Sequence, residues 1–204
     1  MGEKHPRPVL RLASASPRRR QLLDLIGVPH VVTPADIDET PSPDEAADRY
    51  VLRLARGKAE AIWKKHQNLP VLGADTTVVL GERILGKPES EADALAMLGA
   101  LSGRTHLVHT GIALRAPDGR EFVSVSSTQV QFAHLGEEQM RAYWASGEPQ
   151  GKAGAYAIQG LGAVFVSHIS GSYTGVMGLP LYETAEMLRA AGIPVWRGAV
   201  GGAA

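Results

Sequence analysis

The chain has 204 residues, 44% hydrophobic and 21% charged, which is enough apolar material for one globular domain with a sizeable core. Its 21 basic and 21 acidic residues cancel, which argues against a protein that coats nucleic-acid polymers, and the lack of cysteine excludes disulfides, thiolate zinc sites and cysteine nucleophiles. Residues 1–6 hold no apolar leader and no run approaches about 18 apolar residues, so the expectation is a soluble cytoplasmic protein with no membrane partner.

In chain order, Val9 to Ala13 read as a buried strand, followed by a helix over 17–26 with Ser16 as N-cap, Pro17 in the first turn and Gly27 just past the end. That helix opens with Arg18, Arg19 and Arg20, where the unpaired N–H groups and the dipole already present positive charge. Each cation there costs about 0.3–1 kcal/mol unless an anion sits on the turn. Leu22, Leu23 and Ile26 mark the buried side, and at helical spacing Arg18 and Arg19 fall beside it while Arg20 points away. The turn reads either as a phosphate seat, built from free N–H groups, Ser14, Ser16, Arg18 and Arg19, or as a solvated basic turn with its stems packed down.

His30 to Thr33 form a short strand, and an acidic, proline-rich loop follows with Asp36, Asp38 and Glu39. Ser42-Pro43-Asp44-Glu45 has the form of a capping box and predicts a helix running to about Lys65. Its apolar stripe (Tyr50, Val51, Leu54, Ala55, Ile62) has Lys58 at its centre. A lysine so placed either meets an anion or a wet cleft, or snorkels to solvent. Val71 to Leu80 is the strongest strand signal, broken by one charge, Asp75. An Asp in such a run has a dedicated partner (a metal, a cation or a reacting water) or bonds the backbone at a strand end. Gly73 lies on the same face and leaves room for something to approach, and period-two alternation puts Thr76 on the opposite face.

Gly81-Glu82 predicts a hairpin into Arg83–Leu85. The run from Gly81 to Lys87 has P-loop spacing, but Pro88 stands where a magnesium-binding Ser or Thr belongs, so a nucleotide kinase is rejected and Lys87 is kept as a point-charge phosphate ligand. A helix over Glu91–Leu101, strands over 105–115 and 121–132 around Pro117-Asp118-Gly119, a helix near 136–145, strands near 154–158 and 163–169, a helix over 180–191 and a last strand Ile193–Trp196 complete the reading. Residues 197–204 read as a flexible tail. Small residues around Gln159 would let a flat base approach its amide, or they form a tightly packed corner. The fold class is α/β with a mixed, partly antiparallel central sheet, as one domain over 1–204.

Several segments together resemble the Maf proteins, nucleoside triphosphate pyrophosphatases once described as septum-formation inhibitors. They are Ser14-Ala15-Ser16-Pro17-Arg18-Arg19, Asp38-Glu39, Ala55-Arg56-Gly57-Lys58-Ala59, Gly73-Ala74-Asp75-Thr76, Gly86-Lys87-Pro88, Lys152 to Gly160 and Gly171-Ser172-Tyr173. The resemblance covers nearly the whole chain. It implies flanking helices, two lobes around a nucleotide cleft, and a homodimer, similar to the inosine-triphosphate pyrophosphatases. It implies Asp75 as proton acceptor beside a divalent cation, Mg2+ or Mn2+, with Asp75 and Glu39 as metal residues. Glu39, Lys58 and Lys87 match polar positions of the cleft, and Ser14, Arg18 and Arg19 its phosphate-binding turn. Arg18, Thr76 and Gln159 match the branch that hydrolyses dTTP and UTP, as against the branch acting on 7-methyl-GTP. Many relatives have Asp where this chain has Gly151, so any role of that carboxylate is missing or supplied elsewhere. Thr76 shares a pocket with Asp75 only if the strand bends or bulges; otherwise its role is indirect. The competing reading is a nucleotide-binding regulator of cell division that does not turn its ligand over.

Overall fold

The computed structural model describes residues 7–196; the flexible tail expected over 197–204 lies outside the described residues. Seven strands form one mixed sheet: β1 (Leu10–Leu12), β2 (His30–Val32), β3 (Val71–Leu80), β4 (Arg83–Leu85), β5 (Thr105–Arg115), β6 (Glu121–Phe132) and β7 (Val166–Ser170). The order is β2-β1-β3-β5-β6-β7, with β4 pairing on β3. β1 runs parallel to β2 and β3, and every other pairing is antiparallel. The helices are α1 (Pro17–Leu25), α2 (Ala47–Trp63), α3 (Glu91–Leu101), α4 (Glu137–Ala145), α5 (Tyr173–Met177) and α6 (Leu181–Ala190). Among the described residues no helix is long and apolar enough to cross a membrane.

The central strand β3 is buried along nearly its whole length. Its even-numbered residues Leu72 and Ala74 pack with α1 and α6 through Leu22, Leu23 and Leu188, and Val78 packs with α3 and α4 through Leu98 and Tyr143. The odd face takes α2, through Val71, Ala55, Ala59 and Ile62. Here glycine is required by contact. A Cβ on Gly73 would stand 2.2 Å from the Ala55 carbonyl oxygen, and one on Gly111, its near neighbour on β5, 2.5 Å from that of Val51. What approaches Gly73 is therefore the backbone of α2.

The edge of β3 that faces β1 is only partly covered. β1 pairs with Val71 and Leu72, β4 resumes at Val78, and residues 73–77 between them have no strand neighbour on that side. The pairing with β5 on the other side runs unbroken from Val71 to Val79. The strand carries no bulge near Asp75, one of the two possibilities left open for Thr76, and a notch in the sheet lies there.

Four expectations need correction. Glu45 accepts the Ser42 N–H at 3.1 Å, which is half of a capping box, but this closes a turn and α2 starts only at Ala47. Asp44, between the two, adopts φ 56° in the left-handed region, so no helix can run on from Pro43. Residues 154–158 are not a strand, because Gly154 and Ala155 have φ of 66° and 59° and form a tight turn. The strand expected over 163–169 begins at Val166 after a 3-10 turn, and Ile193–Trp196 is irregular. Helix α5 was not foreseen.

Candidate active site

A cavity of about 560 Å3 opens at the notch. Its lining includes all ten residues singled out from the sequence: Ser14, Ser16, Arg18, Arg19, Glu39, Lys58, Asp75, Thr76, Lys87 and Gln159. The notch explains how Asp75 and Thr76, on opposite faces of one regular strand, both reach it.

The acidic corner is built by close packing. Because α2 lies directly on the glycine backbone of β3 and β5, Lys58 projects over Asp75, and its Nζ donates to Asp75 Oδ1 at 2.7 Å. The same Nζ lies 2.6 Å from Glu39 Oε1. Lys58 and Asp75 are both buried, so each charge depends on the other for the solvation that water no longer gives. Burial raises the Glu39 carboxyl, but the hydrogen bond and charge of Lys58, with Lys87 and Arg19, outweigh it and hold Glu39 below the ordinary glutamate range. The acidic loop is fastened to α2 by the Tyr50 hydroxyl, which donates to the Glu39 carbonyl at 2.9 Å, and by Arg53, which donates to the Thr40 carbonyl at 3.1 Å. Burial and the charge of Asp75 raise the Tyr50 phenol. Tyr50 also lines the cavity, although in the sequence it counted only towards the apolar stripe.

The same lining is rich in cations. As the wheel predicts, Arg19 is buried, Arg18 is half-buried and Arg20 is exposed. Arg19 donates to Ser14 Oγ at 2.9 Å, to the Gly178 carbonyl at 2.8 Å and to Thr76 Oγ1 at 3.2 Å. Arg18 donates to the Met177 carbonyl at 3.2 Å. The misplaced charges at the start of α1 are thus offset by the carbonyl end of α5, which carries the complementary partial charge. Burial lowers the Arg19 guanidinium, opposed by Asp75. Ser16 occupies the N-cap position without a side-chain capping bond, and its N–H donates to Ser14 Oγ at 3.3 Å, so Ser14 is the serine that organises the turn. Thr76 also shares a 2.9 Å hydrogen bond with Thr110, so on the cavity lining its hydroxyl is engaged by both Arg19 and Thr110. Lys87 and Lys152 complete the cationic lining, while Asp38 instead accepts the Thr40 N–H in an exposed turn. Lys152 was quoted within the motif but given no role.

Among the described residues no cluster of three or more His, Asp and Glu could hold a metal by itself. Two carboxylates in a cavity lined by several cations nevertheless suit Mg2+ or Mn2+. Such ions take one or two carboxylates together with substrate phosphate oxygens in place of an all-protein cage.

A family model described as Maf-like protein matches residues 9–191. A protein of Methylobacillus flagellatus named dTTP/UTP pyrophosphatase is 53% identical over 186 residues, 90% of this chain and 93% of that one. One of Bordetella pertussis with the same name is 56% identical over 197 residues, 92% of this chain and 95% of its own. Among solved structures, a HAM1 protein from Coxiella burnetii covers 89% of this chain and 98% of its own at a TM-score of 0.47 and 19% identity, too remote to argue from.

Proposed function

The chain belongs to the Maf-like proteins, and on that premise we propose that it hydrolyses dTTP and UTP between the α and β phosphates, releasing the monophosphate and pyrophosphate. The observation that carries the reading is Lys58 held between Glu39 and Asp75 in a cavity whose lining also presents Arg18, Arg19, Lys87 and Lys152. A non-catalytic sensor of a polyphosphate needs the cationic lining but has no use for a carboxylate able to take a proton from water.

In this reading the triphosphate lies across the notch with its charge against the cationic lining. Asp75 accepts a proton from a water whose oxygen attacks the α-phosphorus. The bond from that phosphorus to the bridging oxygen breaks, and pyrophosphate leaves with its new charge neutralised by Arg18, Arg19 and Lys87. Lys58 holds Asp75 by Oδ1 and so fixes the direction of its carboxylate. A divalent cation held by Asp75 and Glu39 would supply Lewis-acid charge at the phosphates and lower the pKa of water. Gln159, exposed at the cavity rim, offers an amide to the edge of a pyrimidine, with Arg18 and Thr76 shaping the same end. The homodimer and the cytoplasmic location go with the family reading.

The test is a panel of dTTP, UTP, CTP, GTP and 7-methyl-GTP, incubated with the purified protein with and without Mg2+ or Mn2+. The expected outcome is pyrophosphate release from dTTP and UTP that exceeds the others at least tenfold and needs the metal. Unchanged dTTP at saturating occupancy would favour the regulator, and faster release from 7-methyl-GTP would move the substrate class.

A further inference from the structure

Gln159 lies on a stretch with no regular structure, between a tight turn at Ala153–Ala155 and a 3-10 turn at Leu161–Phe165. An exposed amide there discriminates bases only if the backbone beneath it is fixed, since a mobile loop would lose ordering entropy each time it met a ligand.

Two side chains from outside the stretch hold it on both sides of Gln159. Glu148, placed by the turn that follows α4, accepts the N–H of Leu161 at 2.9 Å and of Gly162 at 3.0 Å. It also accepts the Tyr143 hydroxyl at 2.7 Å. That hydroxyl in turn accepts the N–H of Ala157 at 3.1 Å. Backbone two residues before Gln159 and two and three residues after it is thereby tied to one carboxylate–phenol pair. Tyr143 is itself fixed, being buried on α4 with its ring edge-on to Phe165 at 4.8 Å.

The glycines of Gln159-Gly160-Leu161-Gly162 fit this device. A Cβ on Gly160 would stand 2.0 Å from a Glu148 carboxylate oxygen, and one on Gly162 would stand 2.7 Å from the Tyr143 hydroxyl. A side chain at either position would have to push the carboxylate or the phenol off the backbone it holds. Burial raises the Glu148 carboxyl, but the bonds from Gly162, Tyr143 and Leu161 outweigh it and hold it below the ordinary range. Its charge also acts on Arg18, which lines the same end of the cavity.

We propose that Glu148 and Tyr143 are positioning residues for base recognition: they set the Ala157–Gly162 backbone that presents Gln159, and through it the preference for thymine or uracil over cytosine. The proposal rests on the pyrophosphatase reading. Neither side chain takes part in the chemical step.

The experiment compares wild type, Glu148→Ala, Glu148→Gln and Tyr143→Phe. It measures kcat and KM for dTTP and CTP, and the inhibition constant of inorganic tripolyphosphate, which has the phosphates and no base. In Glu148→Ala, KM for dTTP rises about tenfold and the dTTP-over-CTP preference falls by a similar factor, while kcat falls less than threefold and tripolyphosphate inhibits as in wild type. Glu148→Gln, which keeps one acceptor oxygen, recovers part of the preference, and Tyr143→Phe loses about threefold. An unchanged preference, or an equal loss of affinity for tripolyphosphate, overturns the proposal. If Glu148→Ala does not fold, Tyr143→Phe decides by the same criteria. A wild type with no activity on dTTP would instead overturn the pyrophosphatase reading.

Discussion

The two ends of the cavity are built by opposite means. At one end Lys58 and Asp75 sit on a long helix and a central strand in backbone contact, and their separation follows from regular secondary structure. At the other, Gln159 sits on an irregular stretch that follows the positive-φ residues Gly154 and Ala155 and is held from outside by Glu148 and Tyr143. The difference teaches where each kind of task is placed. Proton transfer tolerates little error in distance, so it sits on the rigid scaffold, whereas choosing among bases is delegated to a loop that can change without disturbing the chemistry.

The strongest way to break this comparison is to disable each end in turn. Asp75→Asn keeps the shape but removes the proton acceptor, and pyrophosphate release from dTTP is expected to fall by about 10²–10⁴. Gln159→Ala should lower kcat/KM only about tenfold, so near-wild-type turnover by Asp75→Asn would end the assignment of roles. A second contrast is in stability. Lys58→Met leaves buried Asp75 without its cation and is expected to cost about 3 kcal/mol in urea unfolding, whereas Gln159→Ala, at an exposed site, should shift stability by less than about 0.5 kcal/mol. Equal stabilities of the two variants would show that the corner does not depend on its ion pair.

The smallest effect is with pH, and it separates the two ends by window. His106, behind the loop wall, bonds the Tyr156 hydroxyl at 2.9 Å, and burial lowers it to about 4. The unfolded chain, with a histidine near its ordinary 6.5, then binds a proton that the folded state excludes, so stability is full above that value and is lost as pH falls from 6.5 towards 4. The loss should reach about 2 kcal/mol by pH 4.5 and vanish in His106→Gln, measured by urea midpoints. Glu39 at the corner is lowered instead. Its contribution is complete above the ordinary glutamate value and is lost only as pH falls through its lower folded value. A Glu39→Gln variant should therefore match the wild-type slope above pH 5.

Much of this was legible in the sequence, and the exceptions have physical causes. The bounds of β3, α3, β5 and β6 coincide with those expected, because continuous apolar runs or strict alternation end at turn residues there. The start of α2 was misplaced because Asp44, a residue with a Cβ, adopts φ 56° and breaks the run that Ser42 and Glu45 would open. The 153–165 region was misread because nothing in its composition signals that Ala155, a residue with a Cβ, adopts φ 59°. At the site, Lys58 and Asp75 announced themselves as charges in apolar surroundings. The arginines announced a need for negative charge, but not that α5, five residues long and without periodicity, would meet it. Thr76 could not be placed from strand alternation, since what admits it is a gap between two other strands. Glu148 left no signal beyond the two glycines it approaches.

The seating of α2 on Gly73 and Gly111 has a consequence for any redesign of this molecule. With no intervening side chains to repack, the span from the helix axis to the carboxylate is a constant of the scaffold, and only a side chain of lysine's length meets it. Two residues that carry no functional group thus restrict the choice at position 58 more tightly than any polar neighbour does.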